Sequence, residues 1–556
     1  MACVLGINAA FHDPSSALVV DGRIVAAAEE ERFTRRKHGK EAVAFSTWEL
    51  PERSARWCLD HGGLEPPQLD AVAYSYDPAL APPRQADVTT DTWESLRTLY
   101  VERAPLFLKT ALPGLDPQRV HFVPHHLAHA ASAFLAGPYR SCAVLVLDGR
   151  GESASHLAGV AADGRFQALA AQRLPDSLGL VYESLTDYLG FRRASDEYKV
   201  MALAAYGEPR FLEQLRGEFR TADDGGFRAE PLAWERLAPR PDGALDQVHA
   251  DLAASVQRRL EELLLELTSW LHARTGERDL ALAGGVALNC VANSRLWREG
   301  PFERIWVQPA AGDAGTALGA ALYLARELGD DTEPMETAAL GRGWDEHELA
   351  RALEGAGVVF EQPADIAEQV AAALERNLVV AWFQGRAEFG PRALGHRSLL
   401  ADPRDVDNLE RLNEIKGREQ FRPVAPMVPV DRAAEIFDGG PLPSPYMLFT
   451  HRVRDDWAQR IPAAVHVDGS ARIQTVDRCA EPLLNEVLEA FERRTGVPVV
   501  INTSLNVAGR PIVDDPRDAL ECFGSSPIDL LAIGPFVIRR ASPAAEQMNQ
   551  AEAALA

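Results

Sequence analysis

The sequence predicts an α/β protein in which a two-lobed N-terminal part is followed by a second α/β module. Two segments predict the lobes, because a short apolar strand followed by a hairpin occurs at residues 4–33 and again at residues 142–171. Each hairpin contains an Asp-Gly pair, which is typical of a two-residue turn, at residues 21–22 and 163–164. This repeat favours a two-lobed nucleotide-binding fold, although two unrelated hairpins would produce the same pattern.

A change of pattern near residue 350 predicts the second module. At 556 residues the chain is too long for one ordinary hydrophobic core. A polar, acidic connector at residues 329–345 is followed by arginine-rich and β-rich stretches. We therefore predict one domain at residues 1–350 and another at residues 351–545, and we expect the end of the chain, residues 543–556, to be frayed.

A long amphipathic helix at residues 244–276 leads into two strand-loop-helix units, at residues 279–296 and 304–328. Their glycine-rich loops would let backbone N–H groups approach a phosphate at the start of a helix. The P-loop pattern GxxxxGK followed by Ser or Thr is absent, and tight turns are the alternative explanation for the glycines. The predicted nucleotide-binding positions are Gly284, Gly285, Val286, Asn289 and Gly312.

Charge and cysteine content exclude several classes of protein. Lys and Arg number 57 and Asp and Glu number 81, so the formal net charge is −24, which argues against nucleic acid or an anionic membrane as the main partner. Six scattered cysteines without a C-x-x-C pair predict neither a disulfide framework nor a zinc ribbon. Because we find no signal peptide and no long apolar stretch, we expect a cytoplasmic protein. The sequence does not indicate an oligomeric state.

Two histidines in HHLAHAASAF are candidates for metal ligands. His125 and His129 are four residues apart on a predicted helix, so they lie on one face at a spacing that suits a single ion. Asp148 ends an apolar strand, and Asp313 lies in the loop AAGDAG. Two imidazoles and two carboxylates suit zinc, ferrous iron or manganese. The alternative is that both histidines are ordinary core or surface residues.

The loop after the first strand contains a candidate general base. His12 and Asp13 follow that strand directly, and a histidine beside a carboxylate can accept the proton of a hydroxyl. The alternative is a loop histidine that makes ordinary hydrogen bonds.

The C-terminal module has a high density of cations for a chain this acidic. Arginine forks interleaved with glycine and serine are typical of loops that bind phosphate oxygens. The alternative is a set of internal ion pairs with acidic residues such as Glu388, Asp402, Glu414 and Glu419. The predicted anion-binding residues are Arg392, Arg397, Lys416, Arg418, Arg422, Arg472, Asn502 and Ser504.

Several motifs together resemble those of a known family. HHLAHAASAF, VLVLDGRGE, YKVMALAAYG, LAGGVALN, EFGPRALGHRS, KGREQFRPVAP and INTSLN are similar to the NodU/CmcH-type O-carbamoyltransferases, which include enzymes of antibiotic biosynthesis. The resemblance covers about residues 5–540. It implies an N-terminal domain like the tRNA threonylcarbamoyl-transferase domain, with an actin/Hsp70/sugar-kinase-like fold. It also implies a YrdC-like C-terminal domain.

The resemblance implies a reaction in two steps. The C-terminal domain would make carbamoyl-adenylate from carbamoyl phosphate and ATP, which enters with Mg²⁺, and pyrophosphate would be released. The N-terminal domain would then transfer the carbamoyl group to a hydroxyl of a small natural product.

The resemblance also implies roles for individual residues. His12 would be the base, and iron is the metal expected at His125, His129, Asp148 and Asp313. Lys416, Arg418, Arg472 and Ser504 would contact ATP or carbamoyl phosphate. Apart from the resemblance, Lys37 in ERFTRRKH and Lys199 in EYKVMA are candidates for holding the intermediate, and surface charges are the equal alternative.

Two other functions stay open at this point. A tRNA threonylcarbamoyladenosine-type synthase is disfavoured by the acidic charge, because tRNA binding needs a basic surface. A non-catalytic actin-fold protein that binds nucleotide is disfavoured by the density of catalytic residue types. The sequence does not identify the acceptor, since an aminoglycoside, macrolide, β-lactam or sugar would fit equally. We expect the loops at residues 76–118 and 209–245 to shape its pocket.

Overall fold

The computed structural model describes residues 2–39, 49–82 and 93–540 of the chain. This part contains two five-stranded sheets in the N-terminal half and a seven-stranded sheet in the C-terminal module, together with two small sheets. The predicted frayed end at residues 543–556 lies outside the described residues, and so do residues 83–92 of one loop expected near the acceptor. Among the described helices, none is both long and apolar enough to cross a membrane.

The first lobe is built on a mixed sheet. Its strands are β1 (Cys3–Asn8), β2 (Ser15–Val20), β3 (Arg23–Glu29), β4 (Ala71–Tyr74) and β5 (Val120–Phe122). Their order is β3-β2-β1-β4-β5, with β1, β4 and β5 parallel to one another. β2 and β3 form the predicted hairpin, and the turn residues Asp21 and Gly22 both have positive φ, as a two-residue hairpin turn requires.

The second lobe repeats this plan. Its main strands are β6 (Ser141–Leu147), β7 (Ala154–Ala162), β8 (Arg165–Arg173), β11 (Asp279–Ala283) and β12 (Arg304–Val307), and a small hairpin adds β9 (Arg220–Thr221) and β10 (Phe227–Arg228). The five main strands have the order β8-β7-β6-β11-β12, with β6, β11 and β12 parallel to one another. The order matches that of the first lobe strand for strand, which confirms the predicted two-lobed plan.

Helices fill the space between the two sheets and cover their outer faces. The helices are α1 (Glu31–Thr34), α2 (Glu52–Gly62), α3 (Trp93–Ala111), α4 (His125–Phe134), α5 (Leu178–Tyr188), α6 (Glu197–Ala204), α7 (Leu212–Glu218), α8 (Gln247–Thr275), α9 (Cys290–Glu299) and α10 (Ala314–Glu327). α4 and α10 pack against each other between the sheets, in a core that includes residues of β1, β2, β6 and β11. α2 and α3 cover the first sheet, and the long predicted helix α8 covers the second with its buried leucine face.

The C-terminal module has its own core. Its seven-stranded sheet has the strands β13 (Val380–Phe383), β14 (Arg397–Ala401), β15 (Ala425–Pro429), β19 (Gln474–Val476), β20 (Val500–Ser504), β21 (Leu530–Ile533) and β22 (Phe536–Arg539), and a small sheet has β16 (Phe437–Asp438), β17 (His451–Val453) and β18 (Ser470–Ala471). The large sheet has the order β19-β15-β20-β14-β13-β21-β22. The helices are α11 (Glu346–Gly355), α12 (Ile366–Glu375), α13 (Asn408–Ile415), α14 (Ala433–Ile436), α15 (Asp455–Ala458), α16 (Pro482–Thr495) and α17 (Pro516–Ser525).

The predicted division at residue 350 falls inside α11. Leu349 and Leu353 of this helix are buried in the hydrophobic core of the C-terminal module. The helix therefore packs with the second module along its whole length, while the acidic connector precedes it. The YrdC-like and actin-like assignments stay predictions.

The crossing of α4 and α10 depends on one glycine. A Cβ atom at Gly319 of α10 would lie 1.8 Å from the carbonyl oxygen of Ala128 in α4, which is a backbone atom that cannot move aside. Only a residue without a side chain therefore allows this approach. Because α4 begins at His125 and α10 follows Asp313, the contact also sets the distance between candidate metal ligands.

We predict that Gly319→Ala destabilises the protein by about 1–3 kcal/mol, the range for overpacking of a dense core. Gly355→Ala at the end of α11 is the matched control, because a Cβ there would meet nothing within 4 Å. The measurement is urea unfolding of both variants beside the wild type. Equal midpoints for Gly319→Ala and the wild type would contradict the proposed tight crossing.

Candidate active site

Four side chains from three places in the chain meet beside the α4–α10 crossing. His125 and His129 lie one turn apart on α4, Asp148 follows β6, and Asp313 immediately precedes α10. Their ligand atoms all lie within 4.8 Å of one another, and all four residues are buried. The structure thus brings together the predicted metal ligands, and we call this group the His-Asp cluster.

The distances within the His-Asp cluster suit a shared ion better than direct hydrogen bonds. His125 Nε2 lies 3.5 Å from Asp148 Oδ2 and 3.7 Å from Asp313 Oδ1, and His129 Nε2 lies 3.8 and 3.6 Å from the same oxygens. Ligand atoms about 2.1 Å from a tetrahedral ion would be roughly 3.4 Å apart. Both Nε2 atoms and both oxygens of Asp313 are buried without a hydrogen-bond partner. This donor set therefore fits a divalent cation.

The cluster carries a negative charge that favours a cation. Burial lowers the pKa of His125, but the neighbouring carboxylates of Asp313 and Asp148 outweigh burial and raise it to about 9. His125 Nδ1 lies 3.2 Å from the carbonyl oxygen of Ser75, which can only accept, so Nδ1 carries a hydrogen and Nε2 faces the cluster. A metal ion bound here would replace the proton that the carboxylates attract to Nε2.

A residue that the sequence reasoning missed orients this cluster. Buried Glu152 accepts hydrogen bonds through Oε1 from the backbone N–H groups of His125 and Asp77, each at 2.8 Å. Gly285 N–H donates to Asp148 Oδ1 at 2.9 Å and so fixes that carboxylate from the other side. Glu152 is the last residue of the motif VLVLDGRGE that carries part of the family resemblance, but its local spacing gives no sign that it would accept backbone hydrogen bonds at the cluster.

The predicted base lies next to the His-Asp cluster. His12 Nε2 is 3.7 Å from Asp313 Oδ2, and His12 Nδ1 is 3.0 Å from Asp13 Oδ2. The Asn8 side chain donates to the backbone carbonyls of both His12 and Asp13 at 2.9 Å, which holds the loop in place. The structure therefore places His12 where it would meet a molecule in contact with the cluster.

One cavity of about 520 Å³ joins this region to the C-terminal module. The predicted residues on its wall are His12, Asp13, Lys37, Asp148, Gly285, Val286, Asn289, Gly312, Arg392, Lys416, Arg418, Arg422, Arg472, Asn502 and Ser504. His125, His129 and Asp313 lie behind this wall as buried members of the His-Asp cluster. Both modules thus line this cavity.

The C-terminal side of the cavity is a cationic wall, formed by Arg392, Lys416, Arg418, Arg422 and Arg472. Arg392 Nε, Arg472 Nε and one terminal nitrogen of Arg418 are buried without a hydrogen-bond partner. Burial, together with the neighbouring cations, lowers the pKa of Arg392 and of Arg418 to about 9. Clustered cations whose guanidinium nitrogens lack hydrogen-bond partners favour an anion between them.

Lys416 is fixed at the edge of this wall. Its ammonium group donates to Ser504 Oγ at 3.1 Å and to Asn506 Oδ1 at 2.7 Å. Burial, followed by the charges of Arg418 and Arg422, holds the pKa of Lys416 well below its usual range. Asn502 lies on β20, the strand that also carries Ser504, and its buried Oδ1 has no hydrogen-bond partner.

Arg397 and Gly284 do not line this cavity, so the prediction that they contact the substrate does not match their positions. The fully buried Arg397 guanidinium donates to backbone carbonyls, including those of Gln384 and Arg342, and stacks on the Phe383 ring at 3.7 Å. A Cβ at Gly284 would lie 2.1 Å from the Leu147 carbonyl oxygen, so this glycine serves close packing on β6. Arg397 and Gly284 therefore support the backbone of loops whose other residues line the cavity.

Of the other candidate cations, two form ion pairs and one is left available for a ligand. Arg422 pairs with Glu419 at 3.6 Å, as the ion-pair alternative expected. Lys199 pairs with Asp196 at 3.0 Å and with Glu419 at 2.8 Å, which leaves it little freedom to hold a ligand. Lys37 lines the cavity, and within the described ranges it makes no hydrogen bond or ion pair.

Most of the chain is similar to known carbamoyltransferases. Residues 3–322 match the model of the carbamoyltransferase N-terminus, and residues 371–540 match that of the carbamoyltransferase C-terminus. Nodulation protein NolNO of Sinorhizobium fredii is 38% identical over 98% of this chain and 81% of its own length. Nodulation protein U of Rhizobium tropici is 30% identical over 92% of both chains. Among solved structures, full-length HypF in the phosphate- and nucleotide-bound form aligns with 60% of this chain and 56% of its own chain. The sequence identity is 12% and the TM-score is 0.36.

We predict that the purified chain binds one divalent ion at the His-Asp cluster. His129→Ala should weaken this binding by at least about 100-fold, because even the loss of a residue that only supports a metal ligand costs up to about that much. His121→Ala is the control, because His121 is an exposed histidine on β5. The measurement is calorimetric titration with Fe²⁺, Zn²⁺ and Mn²⁺ and elemental analysis after dialysis. Undiminished binding by His129→Ala would exclude the cluster as the metal site.

Proposed function

The chain belongs to the carbamoyltransferase family, and from this we propose that it is an ATP-dependent O-carbamoyltransferase that acts on a hydroxyl group of a small natural product. One observation carries the proposal. One cavity has a cationic wall with unpartnered guanidinium nitrogens at one end and a histidine base beside a metal-type cluster at the other. The first end suits the activation of polyanions, and the second suits transfer to a hydroxyl.

The first half-reaction belongs at the cationic wall. Carbamoyl phosphate reacts with water to give carbamate and phosphate, and a carbamate oxygen then attacks the α-phosphorus of ATP. Carbamoyl-adenylate forms, and pyrophosphate leaves. Both substrates are polyanions, so the unpaired nitrogens of Arg392, Arg418 and Arg472 would hold them together and stabilise the charge that develops on the phosphates.

The second half-reaction belongs at His12. An acceptor hydroxyl attacks the carbamoyl carbon, the bond to the adenylate oxygen breaks, and AMP leaves. His12 takes the hydroxyl proton at Nε2, while Asp13 holds Nδ1 and stabilises the resulting imidazolium. A divalent ion in the His-Asp cluster, for which we propose Fe²⁺ with Zn²⁺ or Mn²⁺ as alternatives, would supply Lewis-acid stabilisation of negative charge.

Contacts between the modules hold the two ends of the cavity together. Arg35 donates to the carbonyl oxygens of Ile512 and Pro511 at 2.7 and 3.0 Å, and Lys199 bridges to Glu419 of the C-terminal module. A mixed anhydride such as carbamoyl-adenylate hydrolyses in water, so a closed path favours transfer over loss.

We predict that the protein releases pyrophosphate from ATP only when carbamoyl phosphate is present. Lys416→Met should lower this rate by at least about 100-fold, as expected when a buried charge at a phosphate site is removed. Lys109→Met on α3 is the matched control, because Lys109 is exposed and distant from the cavity wall. A coupled pyrophosphate assay measures the rate. ATP consumption that is equally fast without carbamoyl phosphate would refute the proposed function.

A second prediction separates the two half-reactions. His12→Asn should keep pyrophosphate release but lower carbamoyl transfer by about 10²–10⁴-fold, the usual contribution of a general base. The assay screens hydroxyl compounds with carbamoyl phosphate and ATP and detects the added carbamoyl group by mass spectrometry. Full product formation by His12→Asn would instead assign this loop a structural role.

A further inference from the structure

A buried ion pair on the cavity wall keeps unsatisfied polar atoms that the proposed reaction does not use. Glu29 ends β3, Arg32 lies in α1, and both line the cavity. Glu29 is 6% exposed and Arg32 is 2% exposed. Glu29 Oε2 lies 3.6 Å from Arg32 Nε, a distance that is too long for a hydrogen bond. We call these two residues the Glu-Arg pair.

The protein uses only half of the hydrogen-bonding capacity of the Glu-Arg pair. Glu29 Oε1 accepts a hydrogen bond from the backbone N–H of Gly390 at 2.7 Å, and Arg32 Nη2 donates to the Gly390 carbonyl oxygen at 3.0 Å. Among the described residues, Glu29 Oε2, Arg32 Nε and Arg32 Nη1 have no hydrogen-bond partner. Buried polar atoms of this kind cost free energy until a partner bonds to them. One acceptor and two donors are therefore available side by side.

The Glu-Arg pair lies between the two ends of the cavity. Glu29 is opposite Ser15 in the β2–β3 hairpin, and Ser15 is three positions after His12. On the other side, Gly390 is two positions before Arg392 of the cationic wall. The pair is therefore placed to contact a molecule that reaches from the cationic wall to His12.

The charges of the pair favour an uncharged group as its ligand. An anion would be repelled by Glu29, and a cation would be repelled by Arg32. Burial raises the pKa of Glu29 to about 7, although Arg32 opposes this shift. An N–H donor at Oε2 would favour the ionised carboxylate, as Arg32 does. The unsatisfied atoms thus fit a group that donates to Glu29 and accepts from Arg32.

A primary amide has both features on neighbouring atoms. Its nitrogen carries two N–H donors, and its carbonyl oxygen accepts. A carbamoyl group ends in this arrangement, whereas an acetyl group has a methyl group in place of the nitrogen. A methyl group would leave Glu29 Oε2 without a partner, and a site that is built to bind an N–H rejects analogues that lack it.

We propose that the Glu-Arg pair binds the carbamoyl group of the activated donor. The amide N–H donates to Glu29 Oε2, and the carbonyl oxygen accepts from Arg32. Glu29 thereby selects a carbamoyl group over acyl groups without an N–H. The identity of the donor rests on the proposed function. During attack by the acceptor hydroxyl, Arg32 also stabilises the negative charge that develops on the carbonyl oxygen.

The test compares three unreactive ligands on the full chain. The first is adenosine 5′-(carbamoylmethyl)phosphonate, in which CH₂ replaces the bridging oxygen of carbamoyl-adenylate. The second is its acetonyl counterpart, which has a methyl group in place of the amide nitrogen, and the third is AMP. Calorimetric titration at about pH 8 keeps Glu29 ionised. We expect the wild type to bind the carbamoyl ligand at least about 10-fold more tightly than the acetonyl ligand, as one hydrogen bond to a charged group provides.

Variants connect this preference to the geometry. Glu29→Gln should abolish it, because the Gln oxygen can still accept from Gly390 and the NH₂ group then faces the donor of the ligand. Arg32→Lys should weaken both carbonyl ligands by at least about 10-fold relative to AMP, since it removes the guanidinium fork. Damage to the fold would instead weaken all three ligands alike. Glu31→Gln is the matched control, because Glu31 lines the same cavity, and it should keep the preference of the wild type.

Pyrophosphate release decides on the proposed function separately, because none of the three ligands has to react. If the wild type releases no pyrophosphate, the proposed function fails, and a preference for the carbamoyl ligand that depends on Glu29 still supports the Glu-Arg pair. The proposal is overturned by equal binding of the carbamoyl and acetonyl ligands, by a preference that survives in Glu29→Gln, or by binding of neither ligand. The pair would then serve only to hold Gly390.

Discussion

The close approach of α4 and α10 is the constraint on which the rest of the site depends. The two helices form the layer between two sheets of identical strand order, and at Gly319 their backbones are too close for any side chain. α4 carries both histidines of the His-Asp cluster, and α10 begins just after Asp313. A ligand set drawn from distant parts of the chain is therefore held by a close-packed part of the core, where small shifts are resisted.

The cavity separates two kinds of charge. At one end the His-Asp cluster offers carboxylates and unpaired imidazole nitrogens, and at the other the cationic wall offers guanidinium nitrogens without partners. Buried polar atoms without partners cost free energy, so a folded protein that keeps them on both sides of one chamber is arranged for ligands of both signs. A cation at one end and phosphates at the other would satisfy both sets. In a chain of net charge −24, the cationic wall is a local exception and not a general surface property.

Local patterns predicted much of this arrangement, because they act over one turn or one strand. The spacing of His125 and His129 puts both on one face of α4, and the Asp-Gly turns define both hairpins. Arg397 shows where such reasoning ends. It shares a motif with Arg392, yet both terminal nitrogens of its guanidinium donate to backbone carbonyl groups, and no sequence pattern reports where those carbonyls will lie. Glu152 lies in a quoted motif, but its role was missed for the same reason, since its partners are the backbone N–H groups of Asp77 and His125.

Long-range partners could not be predicted at all. His38 and Ser195 are 157 positions apart, and neither lies in a motif that indicates the other. They meet because the segment after β3 and the turn before α6 close over the same cavity from opposite sides. Such contacts depend on how whole elements pack, which is a property of the folded chain and not of any short stretch of it.

Asp13 makes the two histidines interdependent. One carboxylate oxygen faces His12 and the other faces His38, so each imidazole helps to orient the group that the other needs. The segment that carries His38 also contains Arg35, which donates to carbonyl oxygens at residues 511–512 of the C-terminal module. That stretch follows Asn506, which in turn holds Lys416. The orientation of Asp13 is thus tied through short, directed hydrogen bonds to the loop that positions the cationic wall. A disturbance in the docking of the modules would reach Asp13 as well, because the segment 35–38 carries both Arg35, which contacts the C-terminal module, and His38, which contacts Asp13.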